Sequence, residues 1–293
     1  MVTLALGQNW PLSIALDATS VYWTTESPTV MKVGREGGTA TTLATPTSAV
    51  AIAVSSTNVY WTSQVGFGGS VMKVPLAGGS PTTVASTGTN PNAIALDSTS
   101  VYWVEAGANV NGGTVMKAPL ASGTPTTLAS AQAGPIGIAI DSTNVYWVNT
   151  GSSGTGSTDG SVMRVPLAGG TPTTLASGQF SPADVAVDST SVYWVNFGGN
   201  TGSPDGTVMK VPLAGGTPTP IASGQIGPRS IALDSTSVYW TTNATVMKVA
   251  VGGGTLTTIA SGQAGPKSVA VDSTSVYWTN SNSTGTVMKA TPK

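Results

Sequence analysis

Three charged residues interrupt a set of equivalent positions that is otherwise uncharged. Asp184, Arg229 and Lys267 fall where the internal repeats of the chain elsewhere carry Leu12, Val50, Asn92, Ile136, Ser13 or Ala51. Two cations near a carboxylate can close into a salt-bridge cluster or can orient a polar ligand. Asp184 is one residue out of register with Arg229 and Lys267, so it is expected to point to the other side of its segment. Four aromatic residues, Trp10, Phe67, Phe180 and Phe197, also lie outside the repeat. They can pack loops together, or form a platform for a sugar or a peptide side chain. With His and Cys both absent, a Ser-His-Asp triad, a thiol nucleophile and a His-based metal site are excluded. Glycosidase-like chemistry would need a carboxylate pair, for which Glu105 with Asp184 or Asp159 is the remaining choice. No catalytic residue, metal ligand or cofactor is assigned.

These residues are set in a strongly repetitive chain. A Val-Tyr-Trp triplet, a polar Gly/Asn/Ser run and a Val-Met-Lys type triplet recur along all 293 residues. The repeats centre on Trp23, Trp61, Trp103, Trp147, Trp194, Trp240 and Trp278, at spacings of 38 to 47 residues without helical periodicity. That pattern predicts four-stranded blades, and hence an all-β seven-bladed propeller forming a single domain over residues 1–293. In the third unit the strands are Ala93–Leu96, Val101–Val104, Thr114–Lys117 and Thr126–Ala129. The last unit stops where its fourth strand should begin, while Thr3-Leu4-Ala5-Leu6-Gly7-Gln8 matches Thr174-Leu175-Ala176-Ser177-Gly178-Gln179. Residues 1–8 are therefore expected to complete the seventh blade and close the ring, leaving no open edge.

Repetition also separates packing from function. One Tyr-Trp pair per blade is what blade-on-blade packing requires. Asp17, Asp97, Asp141, Asp188, Asp234 and Asp272 each begin a Ser/Thr turn, and Ser55 stands in for one of them, so capping rather than metal binding is expected. Lys32, Lys73, Lys117, Arg164, Lys210, Lys248 and Lys289 read as a solvated strand face whose stems cover aromatic neighbours. Antiparallel strands place second-to-third strand loops and blade-to-blade loops together on one face, here the top. These loops vary widely: from Trp to Met the step is 240 to 247 in the sixth unit and 147 to 163 in the fourth. The turns of the bottom face hardly vary. Variation confined to one face of a repeat scaffold is where binding residues are placed.

The triplets Tyr22-Trp23-Thr24, Tyr60-Trp61-Thr62, Tyr239-Trp240-Thr241 and Tyr277-Trp278-Thr279 resemble the YWTD-type propeller repeats of lipoprotein-receptor ectodomains. Those repeats usually form six blades, and their closing Asp is replaced here by Thr25, Ser63, Thr242 and Asn280. The longer phrase Val-Tyr-Trp…Gly-Thr-Val-Met-Lys-Val-Pro-Leu-Ala-Gly-Gly-Thr is similar to secreted bacterial propellers of the myxobacterial type. A more distant likeness to the propeller lyases that open streptogramin antibiotics lacks its His/Glu arrangement. The resemblance implies fold over the whole chain and little about function.

Charged residues make up 8% of the chain and the net charge is -1, which offers no basic face to a nucleic acid backbone. No apolar run is long enough to span a bilayer, and Met1–Gln8 lacks the regions of a signal peptide. The Ser/Thr/Gly-rich composition suits an extracellular or periplasmic origin, and a monomer is expected. The functional expectation is a non-enzymatic binding module that takes a carbohydrate or other small polar ligand, or a protein partner, at the top mouth. A carbohydrate lyase or hydrolase, or a reconstructed scaffold without a ligand, are the alternatives.

Overall fold

The structure is a computed structural model that describes residues 1–66, 68–152, 156–199 and 202–293. Its strands, β1 to β28 in chain order, form seven four-stranded sheets arranged as the blades of a propeller. In blade 1 these are β2 (Pro11–Leu16), β3 (Ser20–Thr25), β4 (Val30–Gly34) and β5 (Thr41–Ala44), paired in sequence order. The innermost strands of blades 2 to 7 are β6 (Ile52–Val54), β10 (Pro91–Leu96), β14 (Pro135–Ile140), β18 (Pro182–Val187), β22 (Ile231–Leu233) and β26 (Pro266–Val271). Blade 7 adds β27 (Val276–Asn280) and β28 (Gly285–Ala290), and takes its outer strand, β1 (Val2–Gln8), from the start of the chain.

Successive residues of a strand face opposite ways, so each adjacent Tyr and Trp serve two different interfaces. Tyr22 packs in one core cluster with Trp61, Tyr60 with Trp103, Tyr102 with Trp147, and Tyr146 with Trp194. Tyr193 with Trp240, Tyr239 with Trp278 and Tyr277 with Trp23 complete the circle. All seven indoles are fully buried. The cores thus lie between blades, and the side chain of each Val-Tyr-Trp triplet that faces forward meets the one facing backward from the next.

The polar tips of these rings are also satisfied in series. Trp147 donates its indole N–H to Gln132 Oε1 at 2.9 Å, and Trp194, Trp240, Trp278 and Trp23 do the same to Gln179, Gln225, Gln263 and Gln8. Blade 2 has Thr45-Pro46-Thr47 in its connection instead of the Gly-Gln pair, and the buried Trp61 Nε1 has no partner. Six of the seven repeat tyrosines donate to an Asp Oδ2, as Tyr22 does to Asp17 at 2.6 Å, while Oδ1 of the same Asp accepts the N–H groups of the turn; blade 2 has Ser55 in place of the Asp. The repeated Asp is therefore a turn cap and a tyrosine acceptor at once.

The ring of basic residues is more than a solvated face. Lys32, Lys73, Lys117 and Lys210 donate to the carbonyls of Leu76, Leu120, Leu167 and Val251 in the following blade, at 2.7 to 3.2 Å. Arg164 does so to Leu213. The ammonium groups of Lys32 and Lys117 lie 5.4 Å from the centroids of Tyr22 and Tyr102, as their stems cross the rings. At the seam between blades 7 and 1, Lys289 reaches the Arg35 carbonyl and Glu36, and Arg35 pairs with Asp272 at 2.9 Å. These staples run along the bottom face.

Two outcomes follow. Deleting residues 1–8 removes buried Leu4 and Ala5 from the core shared by Trp23 and Tyr277, and exposes the edge of β28. A circular-dichroism melt should show a large drop in Tm; a deletion variant that melts like the parent would mean β1 adds nothing to closure. The turn aspartates have carboxyls held below the ordinary value, because hydrogen bonds from turn N–H, Thr and Tyr groups outweigh burial, itself the largest single influence. A lowered folded pKa gives stability that is present above the usual carboxylate range and is lost as pH falls through the folded values. Denaturant titrations should therefore show stability declining progressively below about pH 4.

Candidate functional site

The inner strands converge on a well at the top of the central channel. Leu12, Val50, Asn92, Ile136 and Lys267 line it, with Ser13, Ala51, Ala93, Ala183, Asp184, Ser230 and Ser268 one residue further in or beside them. Its volume of about 310 Å³ is at the small end for ligand pockets, which run from roughly 300 to 1,000 Å³. One arc of the wall is apolar and the opposite arc carries charge. A larger recess of about 380 Å³ lies at the bottom seam, but its charged walls, Arg35, Glu36 and Lys289, are engaged with one another or with Asp272. It belongs to ring closure.

The threonines of the Tyr-Trp-Thr triplets set the height of the mouth residues. Thr24 Oγ1 accepts the N–H of Ser13 at 3.2 Å and donates to the Val50 carbonyl of the next blade at 2.9 Å. Thr62 links Ala51 to Asn92, and Thr279 links Ser268 to Leu12, in the same way. Thr241 bridges the Ser230 N–H and the Lys267 carbonyl. Blades 3 to 5 have Val104, Val148 and Val195 here, all buried. The motif that resembles the receptor repeats is, in this chain, a relay between neighbouring inner strands.

Asp184 lies two residues after the proline that leads into its inner strand, equivalent to Ser13, Ser230 and Ser268. Those serines accept an N–H from the next blade at 3.3 Å: Ile52, Val269 and Ile14 respectively. Asp184 follows the same rule. Its Oδ2 accepts the Ile231 N–H at 3.0 Å and its Oδ1 accepts its own Val185 N–H at 2.9 Å. Burial, only partly offset by these bonds and by the Ser230 hydroxyl, pushes its carboxyl up to about 6. The preceding blade makes room with Gly137, where a Cβ would stand 2.9 Å from Asp184 Cα and 3.1 Å from Oδ1. The side chain thus runs sideways between blades, as its register implies, and makes no ion pair with Arg229 or Lys267.

Arg229 and Lys267 each directly follow the proline that leads into an inner strand, in adjacent blades. The guanidinium of Arg229 lies 4.9 Å from the ring centroid of Phe197, and its Nη2 is 3.5 Å from Asn243 Oδ1. Burial holds Arg229 below its ordinary value. Burial and the nearby Arg229 charge push Lys267 down, against a smaller opposing pull from Glu26. The three ion pairs among the described residues all lie on the bottom face. Phe197 is buried and serves as the floor under Arg229. Phe180 is half-buried over Gly199, where a Cβ would come within 2.9 Å of its Cζ. Phe67 lies outside the described residues.

Trp10 is different from both phenylalanines. It precedes Pro11 at the rim between blades 7 and 1, is 41% exposed, and has φ of +49°. At the equivalent position the chain has Gly134, Gly227 and Gly265, with φ between +59° and +72°, and Ser181. The left-handed region costs a residue with a Cβ roughly 1–2 kcal/mol. Hydrogen bonds from Trp10 N–H to the Asn282 carbonyl and from Glu26 N–H to the Trp10 carbonyl keep the backbone in this conformation. Phe180, Phe197, Arg229, Lys267 and Trp10 therefore follow one another around blades 5, 6, 7 and 1.

The carboxylates considered for glycosidase-like chemistry are committed elsewhere. Glu105 is buried; its Oε1 accepts the Trp103 indole N–H at 2.8 Å, replacing the glutamine used in other blades, and its Oε2 accepts from Thr89 at 3.2 Å. Asp159 binds the Ser152 N–H and the Ser157 hydroxyl of its own loop. Among the described residues, no group of three or more His, Cys, Asp or Glu stands together, and no helix is long and apolar enough to cross a membrane.

No family model and no curated protein matches this sequence. The fold is similar to that of solved structures at low identity. A chain of a nidogen/laminin complex has 19% identity and a TM-score of 0.62, over 80% of this chain and 90% of that one. A PQQ-bound aldose sugar dehydrogenase from Streptomyces coelicolor has 16% identity and a TM-score of 0.62, over 99% and 96%. The computationally designed Ika8 protein has 14% identity and a TM-score of 0.67, over 98% of both chains. These likenesses concern the fold alone.

Asp184→Ser should retain the bond to Ile231, as serine does in blades 1, 6 and 7. A raised folded pKa gives stability that is full below the unfolded pKa and is lost as pH rises through about 6. The variant should therefore be more stable than the parent at pH 7.5, by on the order of 2 kcal/mol, with the gain vanishing near pH 4. Equal gains at both pH values would show that charge burial is not the cause.

Proposed function

We propose that this propeller is a non-enzymatic binding module that takes a carbohydrate or other small polar ligand at its top mouth. The observation that carries the reading is Trp10. A large aromatic side chain is kept in a left-handed backbone conformation, at a rim position where three other blades use glycine, and it is left substantially exposed. The left-handed conformation is shared by this position of the repeat, since Ser181 also has φ of +51°. What sets Trp10 apart is a large aromatic ring left exposed there, as suits a residue that meets a ligand. A flat indole provides contact area at little entropic cost, beside a well whose wall combines apolar and charged groups.

Two features weigh against the enzymatic alternative: the absence of His and Cys, and the engagement of Glu105, Asp159 and Asp184 by protein donors. The fold is compatible with several uses. The similar structures include a protein in complex with laminin or nidogen and a dehydrogenase that holds PQQ, and a shared fold does not carry those activities across. A protein partner on the same face is the second reading, supported by exposed Val65, Val110 and Ile226 on the top loops. An extracellular or periplasmic setting would suit either reading.

A glycan array followed by titration of the hits tests the proposal. Trp10→Gly should abolish or strongly weaken binding while leaving Tm unchanged or slightly raised, because glycine relieves the backbone strain. Trp103→Ala should instead destabilise the fold by about 3–5 kcal/mol. A ligand located crystallographically on the bottom turns would refute the placement.

A further inference from the structure

The mouth holds a positive charge that the protein itself does not neutralise. Arg229 and Lys267 stand at the same repeat position in neighbouring blades, and neither has a carboxylate within ion-pairing distance among the described residues. Asp184, the acid that lines the same well, has one oxygen on the Val185 N–H and the other on the Ile231 N–H of the next blade. Its geometry is that of the serine ring and serves the backbone. Glu26 lies on an exposed loop and only modulates Lys267 at a distance.

Two neighbouring cations with no carboxylate in direct ion pair repel one another, with only the weaker pull of Glu26 on Lys267 to offset it, and both are partly withdrawn from water. Arg229 is nevertheless held in place, with its plane over Phe197 and Asn243 alongside it. Elsewhere outside the repeat, Arg35 forms an ion pair with Asp272 and Glu36 with Lys289, while the acids Glu105, Asp159 and Asp205 are held by neutral donors. Lys267 lines the well and Arg229 stands outside its lining on the adjoining blade; a guanidinium and an ammonium so placed suit one oxyanion group rather than a neutral hydroxyl cluster. The rest of the wall, Leu12, Val50 and Ile136 with Asn92, meets the less polar remainder of a ligand.

Resting on the binding-module reading above, we infer that the ligand is acidic: a saccharide ending in a uronate, whose carboxylate lies between Arg229 and Lys267 while a sugar ring meets Trp10. The saccharide is favoured over an acidic peptide by the size of the well and by the exposed indole next to blade 7, which together fit one flat terminal residue.

The test compares trigalacturonate with its fully methyl-esterified form, which keeps the size and hydroxyl pattern but not the charge. Calorimetric titration at low salt should show the acid binding about tenfold more tightly or better. That difference should disappear in R229Q/K267Q and shrink strongly at about 0.5 M NaCl, where the screening length is only a few ångströms. The double variant loses a repulsion, so its Tm should equal or exceed that of the parent and confirm that it folds. Equal binding of acid and ester at the mouth would overturn this inference and leave the binding-module reading standing. Failure of both saccharides to bind would overturn the inference and the carbohydrate reading together. Binding of a glutamate-rich peptide in place of trigalacturonate would overturn the assignment to a saccharide and favour a protein partner.

Discussion

The structure depends on the opposite orientation of two neighbouring side chains. In each second strand a tyrosine faces one adjoining blade and a tryptophan faces the other, so every interface receives one ring from each side. A single blade has two apolar faces and cannot bury either alone. Stability is therefore a property of the closed ring, and an unpartnered blade would expose a full set of aromatics. Seven nearly identical interfaces result from seven nearly identical strands.

Polar groups follow the same logic of linking one blade to the next. The indoles use a glutamine at the end of the preceding connection, the tyrosines use the turn aspartate, and the lysines cap carbonyls of the following blade. At the inner strands, Thr Oγ1 atoms and the serines tie backbone groups across the channel wall. Burying so many polar atoms is tolerable because nearly every donor meets an acceptor. Blade 2 shows the exception at Trp61, and blade 3 shows a substitute solution at Glu105.

Upon this scaffold the departures gather on one arc. Phe197 supports Arg229, Arg229 adjoins Lys267, and Trp10 stands at the rim beyond it. None of these is needed for the interblade cores, which repeat without them. Two carry a physical penalty, charge repulsion in one case and backbone strain in the other. Their presence in an otherwise regular chain is what supports the proposed binding role.

Much of the fold was legible in the amino-acid order. Seven Tyr-Trp pairs determined the number of blades, because one pair serves one interface. The match of Thr3–Gln8 to Thr174–Gln179 determined the closure, because the latter segment forms the outer strand of blade 4 and its copy does the same for blade 7. Loop variation determined which face differs, since antiparallel strands separate the two sets of connections. Partners across interfaces were not legible. That Glu105 would be taken up by an indole, that Asp184 would bind a backbone N–H of blade 6 and leave Arg229 and Lys267 unpaired, and that the lysine ring would cap carbonyls 41 to 50 residues away all depend on how neighbouring blades abut. The conformation of Trp10 was hidden for the same reason. A local pattern specifies which way a side chain leaves its own strand, but only the assembled ring decides which atom it meets.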